Sequence, residues 1–212
     1  MDKVLKKSHR AKYLLGMALI ALPLFSQGQS IRDNQHCGIK QGQPLSNAYG
    51  PFDSTNPQHR SKLGVVLKYH FNDNVRRLQG KRHSSDLDYT LRAIPNYHQA
   101  LYAVSQYEQR GLLKGFYNAD CYFKRALYFQ PKDAVSYMLF GMHLQATKRL
   151  NEAKKVYQRA LKITPTAAEL NYNYGLLLFE LGEYNAAEKA AQKAYQKGYP
   201  LNGLKNKLAS VR

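Results

Sequence analysis

Two cysteines, Cys37 and Cys121, and six histidines at positions 36, 59, 70, 83, 98 and 143 are the side chains downstream of residue 28 best suited to nucleophilic, acid–base or metal chemistry. Their spacing argues against each of these roles. No two histidines stand four residues apart, and none forms a zinc-ligand spacing with a cysteine. His36 and Cys37 are adjacent, but no third residue nearby would orient the imidazole toward the thiol as a nucleophile requires. The chain has no G-x-S-x-G elbow and no phosphate-cradling glycine loop. Asp86 and Asp88 read as helix-start and surface carboxylates. These patterns predict a non-enzymatic protein without cofactor or metal.

The cysteines take their meaning from the compartment. MDKVLKKSHRAK is a basic leader, YLLGMALIALPLF an apolar core, and SQGQS a run of small and polar residues. This is the tripartite form of a secretory signal, with cleavage expected after Gly28. The apolar core is shorter than the roughly 20 residues of a membrane-spanning helix. The expected location is therefore the periplasm, the alternative being an uncleaved helix anchored in the inner membrane. Exported cysteines meet an oxidising compartment, which predicts a Cys37–Cys121 disulfide. A free reactive thiol would instead indicate redox or Cys–His chemistry.

Residues 29–212 carry 27 Lys and Arg against 13 Asp and Glu. Such a surplus attracts anionic surfaces, and export argues against nucleic acid as the surface concerned.

The elements that must position these residues follow a period of 34. Gly141 and Gly175 stand 34 residues apart, as do Ala153 and Ala187, Ala126 and Ala160, Ala160 and Ala194, and Pro131 and Pro165; Phe123 aligns with Tyr157. Apolar residues at helical spacing predict a first helix over 134–147 and again over 168–181, each doubling back on a second, 149–162 and 184–197. Glycine inside a helix costs roughly 0.5–1 kcal/mol relative to alanine. The expectation is that Gly141 and Gly175 let paired backbones approach closely. Thr166 with Glu169 and Asn96 with Gln99 have capping-box spacing.

With Tyr137, Gly141, Leu144, Ala153, Tyr157, Ala160 and Pro165 at its signature positions, unit 134–165 resembles the tetratricopeptide repeat, whose period is 34. Unit 168–200 follows it closely, with Ala191 in place of an aromatic. Unit 100–131 departs from it, with Tyr107 where glycine is expected, which would open or distort that helix pair. The resemblance implies an all-α solenoid of antiparallel helix pairs spanning about residues 84–212. A partial unit at 84–95 would precede the pairs and a short polar helix would cap the C-terminal end. Residues 29–83 read as an irregular extension. Within it VVLKYHF, β-branched and aromatic, is expected to run extended, and Asn72 or Asp73 to cap a short helix. NAYGPFD (47–53), DYTLRAIPNYHQAL (88–101) and CYFKRAL (121–127) also resemble secreted repeat proteins of Gram-negative bacteria.

In this repeat family, positions 2, 5, 9 and 12 of each first helix line the inner groove. Carried over, they are Leu101, Val104, Glu108 and Gly111; Val135, Met138, Met142 and Gln145; and Glu169, Tyr172, Leu176 and Phe179. The implied groove is apolar and lacks the Lys, Arg and Asn that grip a terminal carboxylate. Lys124, Arg125, Lys148, Arg149, Lys154, Lys155, Arg159, Lys162, Lys189, Lys193 and Lys197 are expected on an outer, solvated face. The resulting expectation is an adaptor or assembly factor of the cell envelope binding a protein or peptide. The alternative is a basic structural protein holding an anionic glycan or membrane surface.

Overall fold

The computed structural model describes residues 35–77, 83–113 and 116–211. The leader and its cleavage point lie outside the described residues. Ten α-helices are present among the described residues, and no strand. They are α1 (Arg60–His70), α2 (Asp73–Arg76), α3 (Ser84–Ala93), α4 (His98–Gln109), α5 (Ala119–Phe129), α6 (Ala134–Ala146), α7 (Leu150–Ile163), α8 (Ala168–Glu180), α9 (Tyr184–Gln196) and α10 (Gly203–Ala209). The pairs α6–α7 and α8–α9 pack tightly and stack on one another through α7 and α8, while α10 covers the open side of the last pair.

Short reversals make these pairs. Lys148 (φ +64°) after α6 and Gly182 (φ +75°) after α8 both take left-handed backbone, and they stand 34 residues apart. Glycine adopts that conformation freely; lysine does so at a cost of order 1 kcal/mol. At the start of α6, Asp133 accepts hydrogen bonds from the backbone N–H groups of Val135 and Ser136, satisfying donors that the first turn leaves open.

The glycines act differently from the expected backbone approach. A Cβ on Gly141 would stand 2.8–2.9 Å from the ring of Tyr157, a fully buried side chain on α7. At Gly175 the nearest neighbour would be Leu204 Cδ2 on α10, with Ala190 Cβ and the Ala187 carbonyl beyond it. Gly141 thus makes room for an aromatic ring, and Gly175 chiefly for the C-terminal helix.

Tyr107, at the corresponding position of α4, is fully buried, and α4 meets α5 less intimately than α6 meets α7. Residues 110–118 join these helices, where three residues suffice in the later pairs.

Four sequence expectations fail locally. Asp88, read as a surface carboxylate, is 1% exposed and accepts from Tyr122 Oη at 2.7 Å. Residues 65–70 are helical rather than extended, because Leu63, Val66 and Leu67 fall on one side of α1. Val66 is buried against Ala93 and Ile94 of the α3 end, while Val65 and Tyr69 point to solvent. Tertiary burial here outweighs β-branched propensity. Thr166 does not cap α8, whose first residue follows Ala167 without a side-chain cap. Asn96 does not cap α4: its side chain is buried, accepting from Ser54 N at 3.0 Å and donating to Asp53 Oδ1 at 2.7 Å. Asn72 does cap α2, accepting from Asn74 N and Val75 N.

Residues 37–56 form a strap across α3 and α5. Cys37 and Cys121 are joined by a disulfide, their Cα atoms 5.0 Å apart. Tyr128 Oη donates to the Gln43 carbonyl at 2.7 Å, and Arg92 donates to Asn47 Oδ1 at 2.7 Å. Phe52 N donates to the Ala93 carbonyl at 2.8 Å, and Gln130 donates to Asp53.

Candidate partner-binding groove

Helices α6 and α8, which carry the expected groove positions, lie side by side. Their C-terminal ends are tied together: Gln145 Nε2 donates to Glu180 Oε2 at 2.9 Å, and Lys148 Nζ meets Glu180 Oε1 at 2.8 Å. These contacts hold the Glu180 carboxyl below the ordinary carboxylate range, the Lys148 hydrogen bond contributing most. Nearer the N-terminal ends, Asn173 Nδ2 contacts Met138 Sδ at 3.7 Å.

Within this frame the seven expected groove residues divide. Val135 is 40% exposed, and Met142, Leu176 and Phe179 are half-buried, so these four offer apolar surface. Gln145 is half-buried and engaged with Glu180. Met138 and Tyr172 are core residues, at 6% and 7% exposure. Tyr172 packs on Tyr199, ring centroids 4.4 Å apart, and on Tyr195. Its burial follows from the turn into α10, a contact that repeat positions alone do not reveal. Lys207 of α10 also lies over the Phe179 ring, 5.4 Å from its centroid.

On α4 the two apolar equivalents are closed. Leu101 and Val104 are fully buried in the cluster that also holds Phe71 and Val75, and α2 packs against α4. The open apolar stretch is therefore confined to α6 and α8.

The repeat-packing residues Ala153, Tyr157, Ala160, Ala187 and Ala194 are fully buried, as are Gly141 and Gly175, while Pro165 is exposed after α7. The Tyr157 hydroxyl has no hydrogen-bond partner among the described residues, and burial pushes its pKa well above the ordinary tyrosine value.

One polar cluster escaped the sequence reading. Ser105 Oγ lies 2.9 Å from His143 Nδ1, His143 Nε2 lies 3.2 Å from Asp120 Oδ1, and Arg149 donates to Asp120 Oδ2 at 2.7 Å. Burial works against ionisation of Asp120, but the hydrogen bonds from His143 and Arg149 outweigh it and hold this carboxyl below the usual range. The residue types match a nucleophile–base–acid set. Yet Ser105 and His143 are only 5% and 2% exposed, and Gln109 donates to Ser105 Oγ at 3.0 Å. The hydroxyl is spent on its neighbours, and the cluster locks α4, α5 and α6 together. No group of His, Cys, Asp and Glu able to hold a metal occurs among the described residues.

Arg125, expected on the outer face, is 4% exposed instead. Burial lowers its pKa from the ordinary arginine value. The remaining second-helix cations from Lys155 onward stay exposed.

Comparison with known proteins agrees with this architecture. A family model described as a TPR repeat matches residues 146–182. The peroxisomal targeting signal receptor of Candida albicans is 37% identical over 68 residues, 32% of this chain and 11% of that protein. The chain thus spans about a tenth of that relative's length. Among solved structures, Pseudomonas aeruginosa pilF superposes with a TM-score of 0.52 at 19% identity, covering 72% of this chain and 67% of its own. MamA covers 72% and 95%, with a TM-score of 0.42 and 18% identity. The TPR-repeat match covers residues 146–182, and the fold of the described residues is an all-α helix-pair solenoid.

Proposed function

We propose that the protein is a non-enzymatic adaptor of the bacterial cell envelope, seating a protein or peptide segment against α6 and α8. The observation that carries this reading is the open apolar stretch of Val135, Met142, Leu176 and Phe179, with the Glu180 bridge and Lys207 of α10 both at its Phe179 end. Methionine and aliphatic side chains there can repack around an apolar segment. The Candida relative bears the name of a signal receptor, which suits a peptide-binding role for the repeats. The apolar run at residues 13–25 and the Cys37–Cys121 bond support an exported protein.

A photoreactive residue at Val135, introduced into the full chain in a Gram-negative host, should crosslink one defined envelope protein. Met142→Glu and Leu176→Glu should abolish that crosslink while the purified protein keeps its helical content and melting temperature. Loss of fold in both variants, or a crosslink indifferent to them, would place the partner site elsewhere.

A further inference from the structure

The chain's acidic side chains are largely occupied by its own cations and amides, and several of the cations left over gather on one outer face. Asp120 and Glu152 engage Arg149, Glu180 engages Lys148, Glu183 engages Lys154, Asp133 engages His98, and Asp53 engages Asn96. On α7, by contrast, Lys155, Arg159 and Lys162 are exposed at i, i+4 and i+7, and none lies within ion-pair distance of a carboxylate among the described residues. Lys189 and Lys193 repeat the positions of Lys155 and Arg159 one period later, on α9, and are exposed as well.

Two clefts open on this face and share Arg159 between them. The first, about 590 Å³, lies between α5, α6, α7 and the strap; Lys124 and Gln41 stand at it beside Tyr128 and Tyr137, with Phe140 and Val156 among its apolar walls. The second, about 690 Å³, runs along α7 toward α8, where Lys155, Lys162 and Gln158 stand beside Tyr174. Each volume falls in the range of roughly 300–1,000 Å³ typical of sites for small ligands. Side-chain amides and tyrosine rings beside unpaired cations are the chemistry that recognises a sugar ring bearing a carboxylate.

We infer that this outer face binds an acidic polysaccharide, with successive sugars in the two clefts and a carboxylate bridged by Arg159. A lipid surface fits less well: of the exposed large apolar residues Val65, Tyr69, Tyr102, Val135, Tyr184, Leu201 and Val211, only Tyr184 at the start of α9 lies on a helix of this face, and none lies on α5 or α7, so little here is placed to enter a bilayer. A plain acidic polypeptide would use the cations but leave the ring-sized clefts without purpose. The site is separate from the groove of α6 and α8, and either assignment stands or falls without the other.

The test is calorimetric titration of the purified protein with oligogalacturonate, poly-glutamate and phosphatidylglycerol vesicles at matched charge and low salt. Oligogalacturonate should bind most tightly, and the double variant Lys155→Glu/Arg159→Glu should weaken it on the order of tenfold. Lys62→Glu/Lys68→Glu on α1 carries the same change in net charge and should leave affinity unchanged. Gln158→Ala should weaken the glycan but not poly-glutamate. The inference is overturned if poly-glutamate or vesicles bind as well as the glycan, if both double variants lose affinity equally, or if oligogalacturonate does not bind.

Discussion

The guanidinium of Arg125 donates to the carbonyl oxygen of Cys37 at 3.1 Å, 88 residues away in sequence and directly beside the disulfide. Cys37 itself sits at φ +55°, in the left-handed region, and Arg125 also faces the ring of Tyr117. One buried cation and one covalent bond thus fasten the same turn of the strap to α5. Reducing the bond releases a closed loop of 84 residues, for which chain entropy gives about 4–5 kcal/mol. Cys37→Ala/Cys121→Ala should lower the stability found by urea titration by an amount of that order. An unchanged midpoint would show that the hydrogen bonds of the strap hold it alone.

The acid response follows from Asp120 and Asp133. Burial raises the pKa of each, but hydrogen bonding from His143 and Arg149 to one, and from His98 and Ser136 to the other, lowers it further. The folded state therefore holds these carboxyls below the unfolded value of about 3.9. Their contribution is fully present above about pH 5 and is lost as pH falls through the folded values. Melting temperature should be level down to about pH 5 and decline below it, and Asp120→Asn or Asp133→Asn should make that decline shallower. Parallel curves for parent and both variants would remove these two groups from the account.

How much of this was legible depended on what each residue reports. The 34-residue period located α6 to α9 to within a residue or so, because small and aromatic residues recur wherever one helix crosses the next. The strap had no such signal. Its contacts pair single residues over long separations, Asn47 with Arg92 and Ser54 with Asn96, and leave no local periodicity. Arg125 looked like an outer-face cation because arginine is seldom buried, and only the course of the strap covers it. Tyr172 occupies a groove position by register, yet the turn through Tyr199 closes over it.

The two repeat glycines should respond differently to the same added methyl group. At position 141 the new Cβ meets the ring of Tyr157, which is enclosed on all sides and cannot swing away. Gly141→Ala should therefore cost about 1–3 kcal/mol of global stability through overpacking between α6 and α7. At position 175 the obstacle is the end of the Leu204 side chain on α10, a helix of seven residues at the edge of the fold. A leucine methyl can rotate and a short terminal helix can shift, so Gly175→Ala should relieve its clash by loosening α10. Hydrogen exchange measured on both variants separates the outcomes. Gly175→Ala should raise exchange chiefly in residues 203–209, with protection of α6 and α7 retained. Gly141→Ala should lower the melting temperature and reduce protection in both helices of its pair. If Gly175→Ala instead destabilises the whole solenoid as much as Gly141→Ala, then α10 is an integral layer of the repeat stack, and Leu204 bears on α8 as rigidly as Tyr157 bears on α6.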